Sequence, residues 1–143
     1  MRIVVATDGS RGGTAAVRFA ARLAAGDPGA ELILLTIGGR PAAPPRSGSA
    51  PPSANDILSD AALEVRTMGV TGRCRLLTLR TRREIPEAIS AFADRLRADL
   101  VVVGSEGRDT LAEWVVGGVA LRLIYVAKLP VVVVRPTRRH RAA

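Results

Sequence analysis

The sequence predicts an α/β fold built on a doubly wound parallel sheet. Short apolar runs rich in β-branched residues alternate along the chain with segments whose apolar residues recur at helical spacing. Runs such as Val101–Val103 lack the polar alternation of a half-exposed strand and are typical of strands buried on both faces. At 143 residues and 48% hydrophobic content, the chain suits one domain with a substantial core. Ligands of such folds bind beyond the carboxyl ends of the strands, where the strand order reverses.

Five strands and four helices are expected, in strict alternation. Pro86 fits the first turn of the third helix, where a missing N–H costs little, and arginines at both ends of the third strand indicate a partly exposed edge. Asn55 or Asp56 is the expected cap of the second helix, which Gly69 ends. The predicted strands are 3–7, 31–37, 74–81, 100–103 and 130–135, and the other predicted helices are 12–25, 85–98 and 118–127.

Residues 1–136 are expected to form a single domain, followed by a basic tail at 137–143. Within the domain, the segment 38–53 is rich in proline, alanine, glycine and serine, which predicts a flexible loop after the second strand. Its position beside the ligand edge of the sheet suits a lid. A tolerated insertion explains the same composition equally well.

Composition narrows the function classes. The net charge is +8, which favours polyanions, but the arginines are scattered and aromatic residues make up only 3%, so nucleic-acid binding ranks last. No apolar run reaches the roughly 20 residues of a membrane span, and no signal-peptide pattern opens the chain, so we expect a cytoplasmic protein without a membrane segment. A single cysteine, Cys74, and a single histidine, His140, leave no disulfide framework or metal cluster of the usual soft ligands. Cys74 is expected to fill space in the core.

Two glycine turns point to a phosphate site. Gly104 and Gly107 follow the fourth strand, and ten residues after Gly107 the pair Gly117-Gly118 precedes the last helix. The N–H groups of a glycine turn and of a helix start can face one anion. Each glycine alone is also explained by an ordinary turn, so the spacing of the set carries the prediction.

Asp8, directly after the first strand, is the candidate for the other end of such a ligand. An ionised carboxylate only accepts hydrogen bonds, so it repels phosphate and suits an amine or hydroxyl of a nucleoside. A turn in Asp8-Gly9-Ser10 that caps the first helix explains the same residue equally well. The sequence contains no G-x-x-x-x-G-K-[ST], no G-x-G-x-x-G and no Ser/His/Asp set. The only candidates for a general base are Asp8, Glu106 and Asp109, so whether the protein is an enzyme stays open.

These residues resemble the universal stress protein family. The opening Ile3–Ser10, the alternation of five strands and the closing Pro130–Val134 are similar to the family along nearly the whole chain. Its ATP-binding pattern, G-x2-G-x9-G-[ST], is matched by Gly104, Gly107 and Gly117. The resemblance implies a flavodoxin-like, adenine nucleotide alpha hydrolase-like sheet of order 3-2-1-4-5 and, in ATP-binding members, an adenosine held near Asp8 and Ile37. The residues implied around the phosphates are Val103, Gly104, Gly107, Arg108, Gly117, Gly118, Val119 and Ala120.

The chain departs from that pattern at Gly118, where nucleotide binders carry Ser or Thr, and at Ala120, which lacks a second hydroxyl. Glu106 and Asp109 add negative charge that Arg108 or Mg²⁺ would have to offset. The first hypothesis is therefore an ATP-binding sensor or switch in the stress response. The alternative is a dimeric interaction protein that binds no nucleotide and pairs antiparallel through strand 131–134 across a two-fold axis.

Overall fold

The computed structural model describes residues 1–39, 52–79, 81, 84–106 and 116–137, and it contains the predicted alternation. The strands are β1 (Arg2–Ala6), β2 (Glu31–Gly39), β3 (Gly72–Leu79), β4 (Leu100–Gly104) and β5 (Val131–Val134). The helices are α1 (Arg11–Ala25), α2 (Ala54–Thr67), α3 (Ile85–Arg95) and α4 (Gly118–Val126). Most of the predicted loop, 40–51, and residues 138–143 of the predicted tail lie outside the described residues.

All the strands are parallel, and their order is β3-β2-β1-β4-β5, which confirms the predicted doubly wound sheet. The central strand β1 pairs with β2 on one side and β4 on the other, so the strand order reverses between β1 and β4. Ala6 lies opposite Leu35, and Val5 lies opposite Val102. The carboxyl ends of the three strands therefore lie side by side, at the edge where ligands of this architecture bind.

Helices cover both faces of the sheet. Ile3 and Val5 face the apolar cluster shared with α1 and α2, whereas Val4 faces the cluster shared with α3 and α4. These three side chains are fully buried, which explains why the strand sequences are continuous apolar runs. Within the described ranges, every helix is too short or too polar to cross a membrane.

The start of α2 differs from the prediction. Asn55 and Asp56 lie inside the helix, and the N-cap is Ser53. The Ser53 hydroxyl accepts from the Asp56 N–H at 3.1 Å, and the Asp56 carboxylate accepts from the Ser53 N–H at 3.2 Å. The prediction was wrong because Asp56 works as the third residue of a capping box, in which it bonds back to the cap.

The third strand lies at the edge of the sheet, as predicted, but begins earlier and ends at Leu79 rather than Thr81. Its residues 73–76 are exposed. The expectation that Cys74 fills space in the core is therefore wrong: Cys74 is exposed, with its Sγ 3.9 Å from the carbonyl oxygen of Leu58. An edge strand loses the neighbour that would have buried this side chain.

Two helices end in the same hydrogen-bonded turn. After α2, the N–H of Gly69 bonds to Arg66 and the N–H of Val70 to Val65, with Gly69 at φ +77°. After α3, which ends three residues before the predicted Ala98, the N–H of Arg97 bonds to Asp94 and the N–H of Ala98 to Ala93. Arg97 occupies the left-handed position, at φ 51°, that Gly69 fills after α2.

The amino edge of the sheet is tied together by Arg2. Its backbone N–H donates to Asp99 at 2.7 Å, its Nε donates to Glu31 at 3.0 Å, and its guanidinium also reaches the carbonyl of Leu96. The hydrogen bond and the charge of Arg2 lower the pKa of Glu31. The backbone N–H of Gly29 and the amino terminus lower the pKa of Asp27 in the same way.

Candidate functional site

Asp8 lies in a tight turn at the carboxyl end of β1. Its Oδ1 accepts from the Ser10 N–H at 2.9 Å, and the intervening Gly9 has φ +77°. Asp8 does not cap α1 as the turn interpretation expected, because the N-cap is Ser10, whose hydroxyl accepts from Gly13 at 3.1 Å. The carboxylate of Asp8 is thus held at the sheet edge by its own turn, only partly exposed.

Ile37 lies next to that turn on β2. The Thr7 N–H donates to the Leu35 carbonyl at 2.9 Å, and the Thr36 hydroxyl donates to the Thr7 carbonyl at 2.6 Å. Ala6 is paired with Leu35, the last register pair of the two strands, and Ile37 follows two residues later on β2. Ile37 is partly buried against the cluster under α3 and α4, and it offers an apolar surface near the carboxyl end of β2.

Gly104 has a packing reason of its own. A β-carbon at Gly104 would overlap the backbone carbonyl of Gly12 and lie 2.9 Å from its Cα, so the end of β4 and the start of α1 touch backbone to backbone. Gly12 in turn lies against the carbonyl oxygen of Glu106. Gly12 was not among the site residues predicted from the sequence. The available signal was a glycine pair at a helix start, where glycine is a poor helix former unless close approach requires it.

The start of α4 meets the end of β4. The Gly117 N–H donates to the Ser105 carbonyl at 2.6 Å, and the Ser105 N–H donates to the Val134 carbonyl at 2.8 Å. Gly117 is the N-cap and provides no capping side chain, and the first turn carries no acidic residue. The first N–H groups of a helix have no partner within it and attract anions. This helix start can therefore receive a negatively charged group through its backbone.

Gly118 contrasts with Gly104. Among the described residues, a β-carbon at Gly118 would meet nothing within 4 Å, so that part of the structure leaves open space above this residue. Val103 and Ala120 are 4% and 2% exposed and belong to the buried cluster of that face. Their side chains support the site from below, and any contact with a ligand there would come from their backbone.

The structure thus brings most of the predicted site residues to one edge of the sheet. The ends of β1, β2 and β4 carry Asp8, Ile37 and Gly104, and the start of α4 carries Gly117, Gly118 and Val119. Gly107 and Arg108 lie outside the described residues. Glu106 is partly exposed, with its side chain close to Gly12.

A cavity of about 170 Å³ lies between α1 and α2, and its lining includes Thr7 and Gly9, the residues on either side of Asp8. Val17, Asp60 and Glu64 also line it. Glu64 is ion-paired with Arg18, and the Thr7 hydroxyl accepts from Gly9. This cavity was not predicted, because the space between two packed helices leaves no pattern in a single sequence.

The model of the universal stress protein family matches residues 1–135 of this chain. Among solved structures, a universal stress protein in complex with cAMP is 27% identical, with a TM-score of 0.72 over 96% of this chain and 98% of that one. A universal stress protein from Archaeoglobus fulgidus in complex with dAMP is 28% identical, with a TM-score of 0.63 over 93% and 96%. One from Burkholderia pseudomallei is 27% identical, with a TM-score of 0.67 over 95% and 96%. No curated protein matches the chain. Since the family model spans residues 1–135, almost the entire sequence, the chain belongs to the universal stress protein family.

Proposed function

We propose that the protein binds an adenine nucleotide at the carboxyl edge of its sheet and acts as a nucleotide-responsive sensor or switch in the stress response. The nucleoside lies beside Asp8 and Ile37, and the phosphate lies at the start of α4. The observation that carries the proposal is the convergence at one edge of a carboxylate from β1 and an uncapped helix start linked to β4.

The two ends of this edge suit opposite ends of one ligand. Asp8 accepts hydrogen bonds from amine and hydroxyl donors, whereas the N–H groups at the start of α4 donate to anionic oxygens. Two relatives of 27–28% identity were solved with cAMP and dAMP, and both ligands combine an adenine nucleoside with a single phosphate group. This agreement in ligand class supports the proposal.

Gly118 and Ala120 determine how well the site holds a nucleotide with several phosphates. Neither provides the hydroxyl of the family's ATP-binding pattern, and a hydrogen bond to a charged group contributes about 1.5 to 3 kcal/mol. We therefore expect ATP, with Mg²⁺ as its counter-ion, to bind about tenfold to a hundredfold more weakly than it would with Ser at position 118. The missing hydroxyl should weaken the binding of a nucleotide with one phosphate less than it weakens the binding of ATP.

The test is calorimetric titration with Mg-ATP, AMP and cAMP. Asp8→Asn keeps an oxygen that can accept from Ser10 but removes the charge, so it should weaken all three nucleotides by about tenfold or more. Gly118→Ser should strengthen ATP because the space above Gly118 is open. The matched control is Asp94→Asn, an exposed carboxylate near the end of α3, at the opposite edge of the sheet.

Two results would contradict the proposal. One is the absence of binding heat with every nucleotide at millimolar concentration. The other is binding that Asp8→Asn and Asp94→Asn leave equally unchanged, which would place any nucleotide away from this edge.

The second candidate function is a dimeric interaction protein without a nucleotide. It is favoured by the apolar side chains that α4 presents to solvent beside the edge strand β5: Leu121 is 48% exposed, Ile124 50% and Tyr125 80%. β5 itself is only partly buried along its length and pairs with β4 alone among the described strands. An unpaired apolar edge next to an apolar helix favours association with a second copy.

A further inference from the structure

The other edge of the sheet, β3, has the opposite chemistry to β5. Residues Arg73, Cys74, Arg75 and Leu76 are all exposed, and Leu76 is 44% exposed. Among the described strands, β3 pairs only with β2, so its outer backbone groups lack a neighbouring strand. Side chains alternate along a strand, which sets the two arginines on one face and Cys74 and Leu76 on the other.

The arginines of β3 are unlike several others of the chain. Arg2, Arg18 and Arg122 each form an ion pair with a glutamate. Within the part of the chain that the structure describes, neither Arg73 nor Arg75 has such a partner. The Arg75 guanidinium donates to the carbonyl oxygen of Cys74 at 2.9 Å, within its own strand. Arg73 lies near enough to lower the pKa of Glu31, but Glu31 is hydrogen-bonded to Arg2.

We infer that β3 is a docking edge for an acidic, extended segment of a partner protein, which adds to the sheet as a further strand. The backbone of the segment would bond to the free edge of β3, which is the usual basis of strand addition. Acidic side chains at alternate positions would meet Arg73 and Arg75, and apolar ones between them would meet Leu76. Strand-like alternation and the absence of any aromatic residue on β3 favour a protein segment over single-stranded nucleic acid.

Arginines on an edge strand also protect a monomer from aggregation, so the experiment must separate protection from recognition. The probe is a labelled octapeptide, blocked at both ends, that alternates glutamate with valine. Its binding is followed by fluorescence anisotropy. Two further probes replace every glutamate with lysine or carry N-methyl groups along one backbone edge, and a single-stranded RNA is the nucleic-acid comparison.

The decisive variant is Arg73→Glu/Arg75→Glu. It should weaken binding of the glutamate peptide by about tenfold, because glutamate on β3 repels glutamate on the peptide across the paired strands. For the same reason the lysine peptide should become the better ligand. Arg22→Glu/Arg95→Glu changes the net charge equally on two helices away from β3 and should leave both peptides unaffected. N-methylation should abolish binding. Circular dichroism of each variant confirms that it is folded.

Several results would overturn the inference. They are no peptide binding at millimolar concentration, equal loss in the two double variants, equal binding of the N-methylated probe, and tighter binding of RNA than of the glutamate peptide with the same dependence on Arg73 and Arg75. Each of these outcomes leaves the nucleotide proposal untouched, because Asp8 and the start of α4 lie at a different edge.

Discussion

Arg97 stores backbone strain that glycine would relieve. It occupies a left-handed conformation, φ 51°, in the turn that ends α3, and non-glycine residues lose about 1 kcal/mol or more there. We expect Arg97→Gly to raise the free energy of unfolding by about 0.5 to 1 kcal/mol. Urea denaturation at neutral pH measures the change.

Gly69 provides the matched comparison, because it ends α2 through the same pair of hydrogen bonds at φ +77°. A β-carbon there would meet nothing within 4 Å, so Gly69→Ala tests conformation without steric overlap. It should lower the free energy of unfolding by about 1 kcal/mol. Equal effects of the two substitutions, in either direction, would show that the φ values do not govern these turns.

Gly104 and Gly118 should respond differently to the same substitution. Gly104→Ala forces a methyl group into the backbone of Gly12 and should cost roughly 2 to 4 kcal/mol, since backbone there cannot move aside cheaply. Gly118→Ala enters open space and should change stability by less than about 1 kcal/mol. Thermal unfolding of the two variants decides, and a Gly104→Ala protein as stable as Gly118→Ala would contradict the close contact between α1 and β4.

The same two positions mark the limit of sequence reasoning at this scale. The spacing of Gly104 from the Gly117-Gly118 pair indicated one site, but it did not separate Gly104, which packing requires, from Gly118, which leaves room for a ligand. That distinction depends on what lies opposite each residue, and Gly12, the neighbour of Gly104, is distant in sequence. Asp8 was ambiguous for a related reason, because a turn carboxylate and a binding carboxylate have the same local sequence.

The sequence was enough to predict which strands and helices exist, but not the residues at which each of them begins and ends. Continuous apolar runs specify strands buried on both faces, so β1 and β4 were placed to within a residue or two at each end. The amphipathic pattern of α2 was clear, yet its start moved from Asn55 or Asp56 to Ser53. Caps are chosen by hydrogen bonds at single residues, and a serine, an asparagine and an aspartate within four positions all qualify.

The pairing of β1 with β2 at the amino edge should make stability depend on acid pH. The pKa of Glu31 is lowered from its ordinary value of 4.5 by Arg2, so the unfolded chain takes up the proton more readily than the folded one. The stabilisation is present above about pH 4.5 and is lost as the pH falls through the lowered folded-state pKa. Glu31→Gln should therefore flatten the fall in the urea midpoint between about pH 5 and pH 3.

Arg2→Gln is the control for this dependence. It removes the partner that lowers the pKa of Glu31, so it should flatten the same part of the profile, and the double variant should add little. The slope that remains in both variants belongs in part to Asp27, whose pKa is lowered by Gly29 and the amino terminus. Identical profiles for wild type and Glu31→Gln would contradict the assignment.

At the scale of the whole molecule, the strand order was predictable from family resemblance combined with alternation. Parallel strands joined by right-handed crossovers restrict the topology, but it was the family resemblance that put β1 in the middle. The apolar surface of the molecule was harder to predict from the sequence. The exposure of Leu121, Ile124 and Tyr125 could not be predicted from the sequence of α4, because a nine-residue helix with Arg122 as its one charged residue is more often buried.

These side chains and β5 carry the prediction for assembly. If two copies pair through β5, with α4 beside the contact, Ile124→Asp/Tyr125→Asp should shift the protein from dimer to monomer at micromolar concentration, measured by light scattering with chromatography. Leu63→Asp, on the exposed face of α2, is the matched control and should leave the mass unchanged. A wild-type monomer at these concentrations would remove the second candidate function.

The two borders of the sheet also have a consequence for how large such an assembly can grow. If two copies pair through β5, the arginine-bearing strand β3 of each copy lies at an outer end of the joined sheet. The arginines on the β3 strands of two such sheets repel each other. A third copy is therefore not added, and the assembly stops at a dimer instead of growing into a fibre. Only a chain of opposite sign could continue the sheet.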